Sequence, residues 1–219
     1  MTPCPYYDDG RVRIYHADCR DVLPGLDGIG AIITDPPWPG ATVDIVGADD
    51  PEGMFTAMID ALPSLPPRMA VQLGCGTDPR FLRLVPDALP FFRVAWLEWV
   101  RIGYRGRLMN TGDVAYLFGE PPPSAPGRRV VPGRMLDTSS DGQDKRHPCA
   151  RRPAHVNWLV HRWTDASDLV VDPFGGIGTT ALACHELGRR CVLIEVDERY
   201  CEVAAERLSQ GVLDLGGGA

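Results

Sequence analysis

A doubly wound α/β fold on a mostly parallel sheet is predicted by three features of the sequence. Short apolar runs alternate with helix-periodic stretches along most of the chain, the signature of successive βαβ units. One run, Asp168–Asp172, passes directly into a glycine turn, Gly175, Gly176 and Gly178, and then into an apolar-periodic helix. Glycine lets the backbone approach a ligand closely, and a helix start offers free N–H groups. The next run, Cys191–Glu195, ends in a carboxylate twenty positions after Gly175. In βαβ nucleotide sites an acid at about that spacing meets ribose hydroxyls.

Taken in order, Arg11–His16 is a strand and Asp18–Leu26 a short helix or turn. Gly30–Thr34 is a strand delivering the corner Asp35, Pro36, Pro37 and Trp38. Pro39 to Pro51 is a polar, acidic loop able to fold over a neighbouring site. Glu52–Leu62 sets Met54, Met58, Ala61 and Leu62 on one helical face, read as core packing. Met69–Leu73 is a buried strand, Asp78–Val85 a helix, and Phe91–Leu97 and Val114–Phe118 are strands. Trp96 and Trp99 are read as packing in or beside the core. Glu120–Arg146 is rich in Pro, Gly, Ser and Asp and lacks either periodicity, so it reads as a long loop or a small lobe. Asn157–Thr164, Thr179–Leu187 and Glu198–Leu208 are helices, the last capped by Asp197, and Gly211–Ala219 frays. One domain is expected over residues 1–219, with 120–146 inserted in it.

Composition narrows the class. A chain of 219 residues buries one substantial core, and 44% hydrophobic residues suits a globular protein. No apolar run approaches the ~20 residues that span a bilayer, and the first residues lack a basic n-region and an apolar h-region. Seven cysteines, none in C-x-x-C pairs, fit reduced thiols rather than a disulfide or zinc framework. His155 and His161 lack Cys or carboxylate companions, so no metal site is expected. A cytoplasmic protein is the expectation.

The charge is uneven. The net charge is −7, yet residues 101–162 hold eleven Lys/Arg against five Asp/Glu, a local balance of +6. Arg101, Arg105, Arg107, Arg128, Arg129, Arg134, Lys145 and Arg146 lead this stripe, with Arg151 and Arg152 behind them. Basic residues on an acidic body can neutralise phosphates and orient a polyanion.

Ligands of doubly wound sheets lie at the carboxyl ends of the strands, near the topological switch point. That rule brings the Asp35 corner to the Gly176 corner. Asp35 supplies a carboxylate acceptor, and Pro36 and Pro37 stiffen the turn while leaving carbonyls free. Trp38 offers a face on which a base can stack, worth roughly 1–3 kcal/mol. Such parts suit a flat ring bearing an exocyclic amine. The glycines read F-x-G-x-G, through Phe174, Gly176 and Gly178, rather than G-x-G-x-x-G.

Together these motifs resemble the amino-group DNA methyltransferases that use S-adenosyl-L-methionine. The match is to the permuted order, called the beta class, in which D-P-P-aromatic precedes F-x-G-x-G. His147, Pro148 and the residues to Pro153 look like that family's H-P-x-x-K-P element, with Arg152 standing where Lys is usual. His16, Ala17 and Asp18 are similar to its opening G-D pair without the glycine. The likeness covers residues 11–118 and 145–208.

The resemblance implies a seven-stranded sheet with a reversed last strand. It implies methyl transfer to a flipped base, with Asp35, Pro36, Pro37 and Trp38 catalytic. Phe174, Gly175, Gly176, Gly178 and Thr179 would cradle the cofactor and Glu195 its ribose. Asp18, His147 and Pro148 join the cofactor set. His147 is also read as ordering its turn, and Asp172 is either a ligand of the cofactor's amino-acid group or a strand cap. Asp ahead of Pro-Pro favours adenine N6. Cytosine N4, RNA adenine, a non-catalytic nucleic-acid-binding subunit and a small-molecule amine methyltransferase are the alternatives. DNA is the expected partner, for a monomer or homodimer in a bacterial or phage-infected cell, with a cognate restriction nuclease as a further possible partner.

Overall fold

The computed structural model describes residues 3–40, 45–74, 76–99, 104–105, 107–109, 112–124, 130–139 and 144–215, without the side chains of 104, 105, 109 and 211–215. In chain order the first half runs β1 (Tyr7–Asp8), β2 (Val12–His16), α1 (Cys19–Val22), β3 (Ile29–Thr34), α2 (Pro51–Asp60), β4 (Arg68–Gly74) and β5 (Phe91–Trp99). A two-stranded hairpin follows, β6 (Tyr104–Arg105) with β7 (Leu108–Met109), and then β8 (Gly112–Gly119) and β9 (Arg134–Asp137). The last part runs α3 (Pro153–Trp163), β10 (Leu169–Asp172), α4 (Thr179–Glu186), β11 (Arg190–Glu195) and α5 (Glu198–Leu215).

The main sheet has nine strands in the order β1-β2-β11-β10-β3-β4-β8-β5-β9, rather than the expected seven. β2, β11, β10, β3 and β4 are mutually parallel, and β8 is antiparallel to both of its neighbours, β4 and β5. The additional strands sit at the edges, β1 antiparallel to β2 and β9 parallel to β5. From β3 the chain moves outward through β4, and from β10 it moves the other way through β11. The switch point therefore falls between β3 and β10.

Each face of the sheet holds one apolar core. On one face Ile33, Ala70, Ala115 and Leu193 pack with Val156, Leu159 and Trp163 of α3, Ala181 of α4 and Ala204 of α5. On the other, Ile32, Val71 and Val192 pack with Val22 of α1 and Phe55 and Met58 of α2. Strands covered on both sides carry continuous apolar runs, which is why β3, β10 and β11 are legible in the sequence.

Several expected boundaries shift for physical reasons. β9 lies inside the stretch expected to lack regular structure. Its four residues pair Trp96↔Arg134 through Trp99↔Asp137, so edge pairing rather than an apolar pattern makes it a strand. α3 begins at Pro153, four residues before the expected start, because proline at the first position needs no N–H partner. The helix expected over Asp78–Val85 is a 3₁₀ helix over Pro79–Leu84. α5 continues to Leu215, past the point where fraying was expected. Trp96 is 55% exposed on β5, which removes it from the core.

Candidate active site

Asp35 leaves the end of β3 beside the end of β10, and a cleft of about 330 Å³ opens over both. Asp35, Pro37 and Trp38 line it together with Phe174, Gly175, Gly176, Thr179 and Glu195. Two motifs far apart in sequence thus share one cavity. The bond that joins them is direct: the Thr34 hydroxyl donates to Asp172 Oδ1 at 2.9 Å. Asp172 Oδ1 also accepts the Phe174 N–H at 3.2 Å, and Oδ2 accepts the Thr180 hydroxyl at 2.6 Å. Asp172 thus ties the strand ends together, and it also lines the cleft. Burial pushes its carboxyl up to about 6, against those three hydrogen bonds.

The glycine turn is shaped by packing on one side and by openness on the other. A Cβ on Gly175 would lie 2.3 Å from Leu193 Cγ, and one on Gly178 2.6 Å from Ala204 Cβ. Gly178 also adopts φ 79°, which favours glycine. Gly176, at φ 50°, has nothing nearer than the His147 ring at 3.6 Å. Its N–H donates to Glu195 Oε2 at 2.7 Å, while Glu195 Oε1 accepts the Asp197 N–H at 2.8 Å. Burial raises the Glu195 carboxyl above its usual range, against these backbone donors.

Asp18, His147 and Tyr200 complete the rim. Asp18 caps α1 by accepting the Arg20 N–H at 2.9 Å and pairs with the Arg20 guanidinium. His147 Nδ1 accepts the Cys149 N–H at 3.1 Å, and its ring meets Tyr200 edge-on at 4.6 Å. It therefore orders its turn. Burial, with Arg151 nearby, lowers the His147 pKa and keeps the imidazole neutral. Pro148 is exposed, and the cleft-lining residues do not include it. Asp197 caps α5 as expected, accepting the Arg199 N–H at 2.9 Å.

The charged centre of the cleft is Asp35. Arg151 Nε donates to Asp35 Oδ2 at 2.7 Å and Nη2 to Oδ1 at 2.6 Å, a bidentate clasp. Arg151 Nη1 also lies 2.9 Å from Asp113 Oδ1, and the guanidinium sits 5.3 Å from the centre of the Trp38 ring. Desolvation raises the Asp35 carboxyl, Arg151 opposes that rise, and Asp113 adds to it. Pro36 and Pro37 are buried, fixing the turn beneath this cluster.

Arg152 points away from the cleft: its Nε pairs with Asp137 Oδ2 at 2.5 Å, and its Nη2 donates to the Ser139 carbonyl at 2.8 Å. Arg151 is the basic residue that reaches Asp35. Both arginines are buried ion-pair partners, so they leave the basic stripe. Within that stripe, Arg107, Arg134, Lys145 and Arg146 are exposed, and Arg146 is already paired with Asp144 at 2.6 Å. Arg101, Arg128, Arg129 and the Arg105 side chain lie outside the described residues. Among the described residues no His/Cys/Asp/Glu cluster suits a metal ion, and no helix is long and apolar enough to cross a membrane.

Residues 130–206 match the DNA methylase family of the N6/N4 type. The chain is also 26% identical to YubD of Escherichia coli (strain K12), named as a methylase, over 90% of both chains. A stretch of 39 residues is 54% identical to the type II methyltransferase M.SmaI of Serratia marcescens, covering 18% of this chain and 13% of that one. Among solved structures, the M1.HpyAVI–SAM complex superposes with a TM-score of 0.69 at 22% identity, covering 90% of this chain and 98% of the other. PvuII DNA methyltransferase, described as cytosine-N4-specific, gives 0.71 at 17% identity over 96% and 93%. These structural likenesses show the fold. The sequence matches are to a DNA methylase family and to proteins named as a methylase and a methyltransferase.

Three functional candidates were not legible in the sequence. Arg151 is one, hidden by the neighbouring Arg152. Asp113 is another, an acid at the start of β8 with no motif around it. Gln72 is the third: it is 2% exposed on β4, between the strands that deliver Asp35 and Asp113, and faces the cleft. Its Oε1 has no hydrogen-bond partner among the described residues. An amide inside an otherwise apolar strand run was the available signal.

Proposed function

We propose that this chain transfers a methyl group from S-adenosylmethionine to the exocyclic amine of a base flipped out of DNA, with adenine N6 as that amine. The observation that carries the reading is the shared cleft: an acidic proline corner and a glycine turn, joined by the Thr34–Asp172 bond, face one cavity.

The cavity fits the cofactor's chemistry. Its volume lies at the lower end of the roughly 300–1,000 Å³ usual for small-molecule sites. Gly176 leaves backbone open towards the cavity, Phe174 and Tyr200 offer aromatic surface, and the Glu195 carboxylate keeps lone pairs for ribose hydroxyls. S-adenosylmethionine supplies a methyl group made electrophilic by its sulfonium.

The protein's task is then to activate the amine and hold it in line. An adenine N6 lone pair is delocalised into the ring. Asp35 and the Pro36 carbonyl accept its two N–H groups, drawing the nitrogen towards tetrahedral geometry and favouring the positive charge that develops. Removing one such preorganised partner typically costs ~10²–10³ in rate. The proton leaves after transfer, so no histidine base is needed, in keeping with His147 being held as a turn-ordering group. Trp38 supports the extruded ring, offsetting part of the few kcal/mol that flipping costs. The exposed Arg107, Arg134, Lys145 and Arg146 are assigned to phosphates. Few residues remain to read sequence, so the recognised site is short unless two copies combine.

Incubating unmodified DNA with labelled cofactor and identifying the modified nucleoside tests this. N6-methyladenine is expected, and Asp35→Ala should abolish it. N4-methylcytosine would reassign the base, preferential labelling of competing RNA would reassign the polymer, and undiminished activity of Asp35→Ala would overturn the mechanism.

A further inference from the structure

We propose that Arg151 is a positioning residue that keeps Asp35 ionised inside the cleft and fixes the plane of its carboxylate, with Asp113 as the counter-charge that sets how strongly it does so. The inference rests on the proposed function for its consequence in the reaction, but not for its physical content.

Asp35 must accept hydrogen bonds from an amine, and only a carboxylate has all its oxygen lone pairs free to do so. Its side chain is 18% exposed, and that of Arg151 is 10% exposed. An unpaired carboxylate so placed would take up a proton and become a donor itself. The bidentate clasp at 2.6 and 2.7 Å opposes that, and it occupies one lone pair on each oxygen. A second lone pair on each remains for the amine.

The charge balance is uneven in a way that makes Asp113 matter. One guanidinium serves two carboxylates, Asp35 and Asp113, the latter 11% exposed and 2.9 Å from Nη1. These two anions outweigh the cost of burying Arg151 and hold it charged. The other groups around Asp35 are few. The 147–151 segment brings Cys149, whose thiol is pushed up by burial and then by Asp35, and the neutral His147. β10 brings Asp172, which feels Asp35 weakly, and β4 brings the uncharged Gln72. Arg151 is thus the cation in direct contact with Asp35 among the described residues.

The strand order explains the arrangement. β3, β4 and β8 are neighbours, and they deliver Asp35, Gln72 and Asp113 as a polar row across the end of the sheet. Arg151 closes the row from the segment leading into α3, anchored one residue later by the buried Arg152–Asp137 pair. An arginine with a planar fork suits this place, since lysine offers a charge but no bidentate geometry.

The test reads Asp35 directly. Protein carrying ¹³C-labelled aspartate carboxyls is titrated by NMR, with the Asp35 resonance assigned by its loss in Asp35→Asn. Arg151→Gln should raise the Asp35 midpoint by at least one pH unit relative to wild type, and Asp113→Asn should lower it. Arg151→Lys should stay within half a unit of wild type. In the methylation assay, Arg151→Gln should be at least 100-fold slower at pH 7 and recover as pH rises, whereas Arg151→Lys should be slower at every pH. An Asp35 midpoint in Arg151→Gln within 0.3 unit of wild type overturns the proposal. If Arg151→Gln does not fold, an unchanged or raised midpoint in Asp113→Asn overturns it instead. Wild-type protein that methylates no DNA would refute the proposed function while leaving the titration to decide the role of Arg151.

Discussion

The hydroxyl of Thr34 donates to the carboxylate of Asp172 across 2.9 Å, linking residues 138 positions apart in the chain. Those residues end the two strands that flank the switch point, so the bond sets how the acidic corner and the glycine turn face each other. Thr180 at the start of α4 and the Phe174 N–H also donate to the same carboxylate.

This linkage predicts a pH-dependent stability. Burial lifts the Asp172 carboxyl to about 6 from the usual 3.8. A folded-state pKa above the unfolded value means that the folded protein binds more protons between those limits. The contribution is fully present below about pH 4 and is lost as pH rises through 6, by about 3 kcal/mol at most. Asparagine can accept from Thr34 and Phe174 and donate to Thr180 Oγ1 without titrating. In urea unfolding at pH 5 and 7.5, Asp172→Asn should gain on wild type by 1–3 kcal/mol at the higher pH. A constant difference between the two proteins would contradict the assignment.

What the sequence made legible follows from where each signal is stored. β3, β10 and β11 announce themselves because both faces of the central sheet demand apolar side chains. The convergence of Asp35 with Gly176 was legible because a switch point is a property of strand order, and βα alternation implies one. β9 was not legible, since Arg134–Asp137 acquires its conformation from pairing with β5. The Arg151 clasp was hidden for a related reason. Two adjacent arginines differ only in the side of the chain on which they emerge, and local spacing does not record that. Trp96 was misread because a tryptophan on the solvent side of an interior strand, as on β5, has the same composition signal as one in a core.

The glycine turn separates packing from ligand access. Alanine at Gly178 would strain φ and drive a methyl group against Ala204, costing about 2–4 kcal/mol in unfolding free energy. Alanine at Gly176 meets no atom closer than 3.6 Å, so only the left-handed backbone counts, about 1–2 kcal/mol. Its methyl group would instead project towards the cleft. Calorimetry should therefore find Gly176→Ala the more stable of the two, yet weakened at least tenfold in S-adenosylmethionine binding. Equal stabilities, or unimpaired binding by Gly176→Ala, would remove this distinction.

Arg152 should behave as a structural anchor. Its pair with Asp137 leaves both side chains under 10% exposed, 6% and 7%. Against the cost of burial, hydrogen bonds from Arg152 and Ser139 hold the Asp137 carboxyl down at about 2. Deleting the arginine strands a buried anion, a loss of roughly 3–5 kcal/mol. Arg152→Ala is expected to lower the unfolding midpoint sharply, and the double variant Arg152→Ala/Asp137→Ala to recover part of that loss. A double variant as unstable as the sum of the single ones would show that the pair does not interact.

Gln72 offers the sharpest separation of stability from activity. Its Oε1 is buried without a hydrogen-bond partner among the described residues, and such an acceptor costs about 1–3 kcal/mol. Leucine has a similar volume and no such penalty, so Gln72→Leu should raise the unfolding free energy by about 1 kcal/mol. Gln72 lies on the strand between those that deliver Asp35 and Asp113, where the amine of a flipped base would be bound. Loss of its amide should then cut kcat/KM for DNA methylation by at least tenfold while leaving cofactor binding unchanged. A leucine variant that is both more stable and fully active would mean that this amide meets nothing in the reaction.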